Sequence, residues 1–135
     1  MIRKQNWLAL LGAAVSVQIK APFDYGKRDC CTSACDLIVA MTDTDLMAEL
    51  RGKYRTAIGA VRVVKKTGAV DLLGLARNIC AEHGCEEIDT VYAGVGDLVV
   101  TDQAFCDMAT GQALGVCMGP TAVFPTDTGW VSLPR

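Results

Sequence analysis

The residues best equipped for chemistry in this chain are thiols. Cys30 follows the stretch Phe23-Asp24-Tyr25-Gly26-Lys27-Arg28-Asp29 and opens an apolar run, with Asp29 placed to cap a helix. A cysteine at a helix start meets free backbone N–H groups and the positive end of the dipole. Both favour the thiolate, the reactive form of a thiol nucleophile. Lys27 and Arg28 would add to that effect and Asp29 would oppose it. The competing reading is that Cys30 is a packed core residue, because a free thiol behaves as a small hydrophobe. The chain has seven cysteines. An odd count cannot pair fully, and the spacings do not repeat as in a disulfide scaffold. Reduced, partly buried thiols made in a reducing cytoplasm are therefore expected.

A thiol nucleophile needs a base. The single histidine, His83, falls near the end of a predicted helix, where an imidazole ordinarily caps or is solvated. Cys80-x-x-His83-x-Cys85, joined by Cys30, Cys31 or Cys35, could supply four soft ligands to zinc or an iron–sulfur cluster. That spacing matches neither a zinc ribbon nor a ferredoxin, so neither metal nor cofactor is expected; a Cys-rich metal module stays as an alternative. No phosphate-cradling loop, paired-carboxylate motif or triad signature occurs. Trp7 and Trp130 read as core or interface anchors.

The elements that must position these groups follow from periodicity and punctuation. A chain of 135 residues, half of them hydrophobic, suits a single domain over 1–135. Trp7 to Val17 resembles a signal-peptide core but is too short to span a bilayer. It reads as a first helix with Leu8, Leu11 and Val15 on one face. A loop from Lys20 to Asp29 leads into a helix from Cys30 to about Met41. Its apolar rows cover most of its circumference, which places it in the middle of the domain. Asp43 to Asp45 forms a turn, and Leu46 to Arg51 a short helix. Thr56 to Lys66 is predicted helical, with Ile58, Val61 and Val64 inward. Val70 to His83 forms another helix, stopped by Gly84. Beyond Cys85 the segments Ile88–Tyr92, Asp97–Thr101, Ala113–Met118, Thr121–Phe124 and Trp130–Leu133 read as short strands, with turns at 119–120 and 125–129. Helices first and strands after give an α+β layout, with helices packed on a small antiparallel sheet.

Net charge is −2, which argues against a general nucleic-acid binder. The charges are segregated all the same. Arg51 to Arg77 holds seven basic residues and one acid, while Asn78 to Pro134 holds eight acids and no base. Two readings stay open: complementary faces for assembly, or two differently solvated surfaces.

Aromatic–Gly–x–x–Asp–Cys at the start of a buried helix resembles the nucleophile motif of NlpC-type cell-wall peptidases, which are papain-like. Gly96-Asp97-Leu98-Val99-Val100 resembles that family's Gly-Asp-Leu-Val strand. Ala113-Leu114-Gly115-Val116-Cys117-Met118-Gly119 resembles the strand that ordinarily reads His-Val-Gly-Ile-x-x-Gly. The resemblance implies Cys30 as a vestigial nucleophile and Ala113 where the catalytic histidine would stand. Without an imidazole on the thiol, the sulfur loses its proton acceptor. The stretch from Pro22 to Lys66, with Tyr-Gly-Lys-Arg-Asp-Cys-Cys, Met-Thr-Asp-Thr-Asp and Leu-Arg-Gly-Lys-Tyr-Arg-Thr, is similar to small proteins of phage tail modules that typically lack this histidine. That likeness implies a structural virion protein of the tail tip or baseplate, not an enzyme. It would be present in several copies and docked to a hub or distal-tail ring, with no nucleic-acid partner and no membrane span. The alternative is an active peptidoglycan-cleaving cysteine peptidase, in which His83 or a partner's residue serves Cys30.

Overall fold

A computed structural model describes residues 1–101, 111–126 and 129–134. Its elements are helices α1 (Trp7–Gln18), α2 (Cys30–Thr42), α3 (Ala57–Lys66) and α4 (Leu72–Glu82), then strands β1 (Leu98–Thr101), β2 (Ala113–Cys117), β3 (Thr121–Thr126) and β4 (Gly129–Pro134). The strands form one antiparallel sheet in the order β1-β2-β3-β4. The fold is α+β, as the sequence predicts.

Helix α2 is the centre of the molecule. It packs on α1 at one side and on β2 and β3 at the other. Its buried set runs around the helix, through Cys30, Ala34, Cys35, Leu37, Ile38 and Met41, as expected of a helix with almost no polar face. Even two of its polar residues are covered: Thr32 and Ser33 are buried. Thr32 is occupied by the capping box it forms with Asp29, and the Ser33 carbonyl accepts a hydrogen bond from Gln18 Nε2 at 3.1 Å. Asp43, at φ 61°, ends the helix in the left-handed region.

The flanking helices correct several expectations. Leu8 is exposed, and α1 buries Leu11 and Val15 instead. A helix apolar all round offers more than one stripe, and α2 takes the one that also carries Trp7 and Ala14. Leu46 to Arg51 is a run of turns, not a helix. Its bonds mix three- and four-residue closures, such as Leu50 N to Met47 O and Arg51 N to Met47 O, both 2.9 Å. Leu46 and Met47 are buried all the same. Helix α3 buries Val64 and leaves Ile58 66% exposed. At 100° per residue Ile58 lies about 120° off the Val64 face, which Ala60 and Val63 complete. Helix α4 starts later than predicted because Asp71 caps it through the Gly74 N–H, which leaves Val70 outside and exposed.

Ile88 to Tyr92 is not a strand. Asp89 caps a single 3₁₀ turn, Thr90–Tyr92, and β-favouring residues with no partner strand have no pairing to hold them extended. The other predicted strands form. Leu98 pairs with Val116 and Thr101 with Ala113. A Cβ on Gly115 would lie 2.5 Å from the Phe124 ring, so this glycine is required for the close approach of β2 to the buried phenylalanine. The Trp130 side chain lies outside the described residues.

Candidate functional site

The Cys30 site is built by the loop that precedes it. Asp24 and Arg28 close the loop with paired backbone bonds, Arg28 N to Asp24 O at 2.8 Å and Asp24 N to Arg28 O at 3.2 Å. Gly26 sits at φ +87°, and a Cβ there would lie 2.2 Å from the Tyr54 carbonyl oxygen. No other residue type fits that position. The Gly26 N–H donates to Asp29 Oδ2 at 2.8 Å.

Asp29 is 2% exposed and is the hub of the site. Its Oδ1 accepts the Thr32 N–H at 2.8 Å. Its Oδ2 accepts the Tyr54 hydroxyl at 2.6 Å, in addition to Gly26. The backbone N–H of Asp29 donates to Thr32 Oγ1 at 2.9 Å, which completes a capping box. A buried carboxylate is tolerable because it is saturated with donors. Burial first, and then the Asp29 charge, push the Tyr54 phenol well above its ordinary range. Tyr54 is therefore a fixed donor.

This cradle sets Cys30 at the first position of α2, as the sequence predicts, and seals it. Cys30 is 3% exposed, with its sulfur 3.9 Å from that of Cys31. The hydrogen bond between the two thiols and then burial hold the Cys31 thiol well above its ordinary value, with Asp29 adding to the effect. Burial raises Cys35 to about 12. The cations expected to assist turn away. Arg28 Nε donates to the Pro22 carbonyl at 2.9 Å, and Lys27 is exposed.

The sheet meets α2 near the last turn of that helix. Gly96 N donates to Cys117 O at 2.8 Å, and a Cβ on Gly96 would touch the Met41 sulfur. The last residue of β2 thus lies by the last turn of α2. The first, Ala113, is 1% exposed. Next to it, Gln112 ties the sheet to the start of α4. Its Oε1 accepts Leu73 N–H at 3.1 Å, and its Nε2 donates to Asp71 Oδ2 at 3.2 Å. From there α4 runs its 11 residues, about 16 Å, before reaching His83. The imidazole Nδ1 lies 2.9 Å from the Ile79 carbonyl oxygen, on which it acts as donor. His83 is thus held at the end of α4, one helix length from the tie that Gln112 makes to its start.

His83, Gly84 and Cys85 form the helix stop. Cys85 N donates to Cys80 O at 2.8 Å and Gly84 N to Ala81 O at 3.1 Å, with Gly84 at φ +73°, a Schellman motif. The candidate metal ligands lie in this turn, at the start of α2 and, for Cys35, in its buried middle. Among the described residues no three of His, Cys, Asp and Glu converge to hold a metal. A separate cleft of about 720 Å³ lies between α4, β1 and the C-terminal half of α2. Ile38, Met41, Leu73, Cys80 and Val99 are among its lining residues, and neither Cys30 nor Ala113 is.

Sequence reasoning missed Tyr54 and Gln112. Both act over long separations, 25 residues to Asp29 and 41 to Asp71; Tyr54 lies in the Leu-Arg-Gly-Lys-Tyr-Arg-Thr stretch, and no local pattern marks Gln112. No curated protein and no solved structure matches the chain. A family model does match, over residues 2–135, and the chain belongs to the family described as Domain of unknown function (DUF6950).

Proposed function

We propose that this protein is a structural component of a phage tail tip or baseplate, built on a papain-like, NlpC-type domain that has lost its peptidase chemistry. The observation that carries the loss of chemistry is the environment of Cys30. The thiol is buried, its neighbouring carboxylate is saturated by Gly26, Thr32 and Tyr54, and Ala113 fills the place at which the resemblance expects a histidine. A thiol with no base and no open face cannot attack a peptide carbonyl. The Gly26–Asp29 apparatus then serves to start the central helix, and the motif persists as architecture.

The tail setting rests on the likeness of Pro22 to Lys66 to tail-module proteins. In that setting the chain is made in the bacterial cytoplasm and taken into the virion. It docks to a hub or distal-tail ring in several copies through its exposed apolar and charged surfaces.

The test has two arms. Purified protein incubated with muramyl-peptide substrate should release no product that depends on Cys30, and cleavage abolished by Cys30→Ala overturns the loss of chemistry. Mass spectrometry of virions purified from the strain that carries the gene should detect the chain, and its absence from them overturns the tail assignment.

A further inference from the structure

The charge segregation acquires a geometry in the fold. Lys53, Arg55, Arg62, Lys65 and Lys66 are all exposed on α3 and the turn before it. None of the five makes an ion pair among the described residues. Beside them lie the exposed apolar side chains of Ile58 and Val70. The end of α4 and the segment after it carry the opposite charge. Glu82, Glu86 and Asp89 are exposed, and neither Glu82 nor Glu86 has an ion-pair partner among the described residues. Next to them stand Ile88, Val91 and Tyr92, the last 77% exposed. Each surface thus has apolar side chains with charge around them, the layout of a protein–protein contact, and the two are opposite in sign.

Within one chain the only ion pair among the described residues that reaches the acidic segment is Arg77–Glu87, at 2.8 Å. It leaves the five basic residues of α3 and its preceding turn, and Glu82 and Glu86, without an ion-pair partner among the described residues. A second copy can do what the first cannot, since it presents the acidic surface to the basic one and the reverse.

We infer that the basic surface of α3 docks on the acidic, apolar 82–92 segment of a second copy of this chain. A two-fold dimer makes both contacts at once, and a head-to-tail arrangement makes one per pair and propagates into a ring or an open filament. The inference names a partner for surfaces that the tail reading leaves open, and it rests on that reading only for its biological setting.

The experiment is sedimentation velocity of the full chain, under reducing conditions, across a concentration series. Salt is set at about 0.01 M, where the screening length is about 30 Å, and at about 1 M, where it is about 3 Å. Association is expected at low salt and dissociation at high salt. K65E/K66E and, separately, E82K/E86K should each weaken self-association at least about tenfold, because like charges then face each other. Mixing the two variants should restore it, since every contact between one variant and the other is again complementary. K65Q/K66Q, which introduces no repulsion within α3, should give a smaller loss. A wild-type chain that stays monomeric at low salt overturns the inference, as does association that either reversal leaves unchanged or that mixing fails to restore. Virions that lack the chain would overturn the tail reading and leave this inference standing. A monomer that neither salt nor charge reversal affects, yet is found in virions, would do the opposite.

Discussion

Asp29 and Tyr54 show how a motif associated with reactivity can be spent on stability. The Tyr54 hydroxyl lies 2.6 Å from Asp29 Oδ2, and both residues are buried. A hydrogen bond to a charged, buried acceptor contributes about 1.5–3 kcal/mol. Tyr54→Phe keeps the ring and removes only the donor, so urea denaturation should report a stability loss of that size, about 1.5–3 kcal/mol. A loss below about 0.5 kcal/mol would mean that Asp29 finds another donor. Only half of this arrangement is legible in the sequence. The Asp29 cap and the position of Cys30 follow from local rules, because a cap acts within one helical turn. Tyr54 does not, because a contact across 25 residues exists only after the fold has brought it there.

At the scale of elements, the helices that begin on a capping side chain all form: Asp29, Thr56 and Asp71 each accept the N–H three residues on, and the Asp71 cap moves the start of α4 past Val70. The failures occur where tertiary contacts overrule local preference. Leu46–Arg51 has helix-forming residues but is tied down by Arg51, whose Nε donates to Asp45 Oδ2 at 2.7 Å and whose Nη2 donates to Asp36 Oδ1 at 2.6 Å. The segment is pinned to α2 as a turn before a helix can propagate. The hydrogen bond from Arg51 holds the Asp45 carboxyl below its ordinary pKa of 3.8. Because the folded state binds the proton less readily than the unfolded state, the stabilisation is fully present above pH 3.8 and is lost as the pH falls through the depressed value. Arg51→Met should remove that part of the acid sensitivity and cost about 1 kcal/mol at neutral pH, the pairs being partly solvated. Chemical denaturation of both proteins at a series of pH values from neutral down to about 2.5 checks this. The gap between the two should close toward the acid end, and parallel curves would assign the acid sensitivity elsewhere.

For the whole molecule, the order of stability should follow the layering. Helix α2 lies between α1 and the sheet and buries eight residues, whereas α3 buries only Val64. Segments that bury little apolar surface open locally, without waiting for the global transition. The sequence makes α2 recognisable as the core helix through its lack of a polar face. It does not reveal the weak attachment of α3, because Ile58, Val61 and Val64 all look equally able to turn inward, and only packing selects Val64. Native-state hydrogen exchange should therefore find the inner amides of α2 and β2 exchanging through global unfolding, with the same free energy and the same denaturant dependence. The amides of α3 should exchange at least about 2 kcal/mol more easily and with little denaturant dependence, the signature of a local opening. If α3 exchanged together with α2, the basic helix would belong to the cooperative core, held by contacts beyond its single buried valine. A loosely held α3 also bears on assembly. Docking that face on a neighbour would slow its exchange in a concentration-dependent way, since a partner that binds only the folded form stabilises it by mass action.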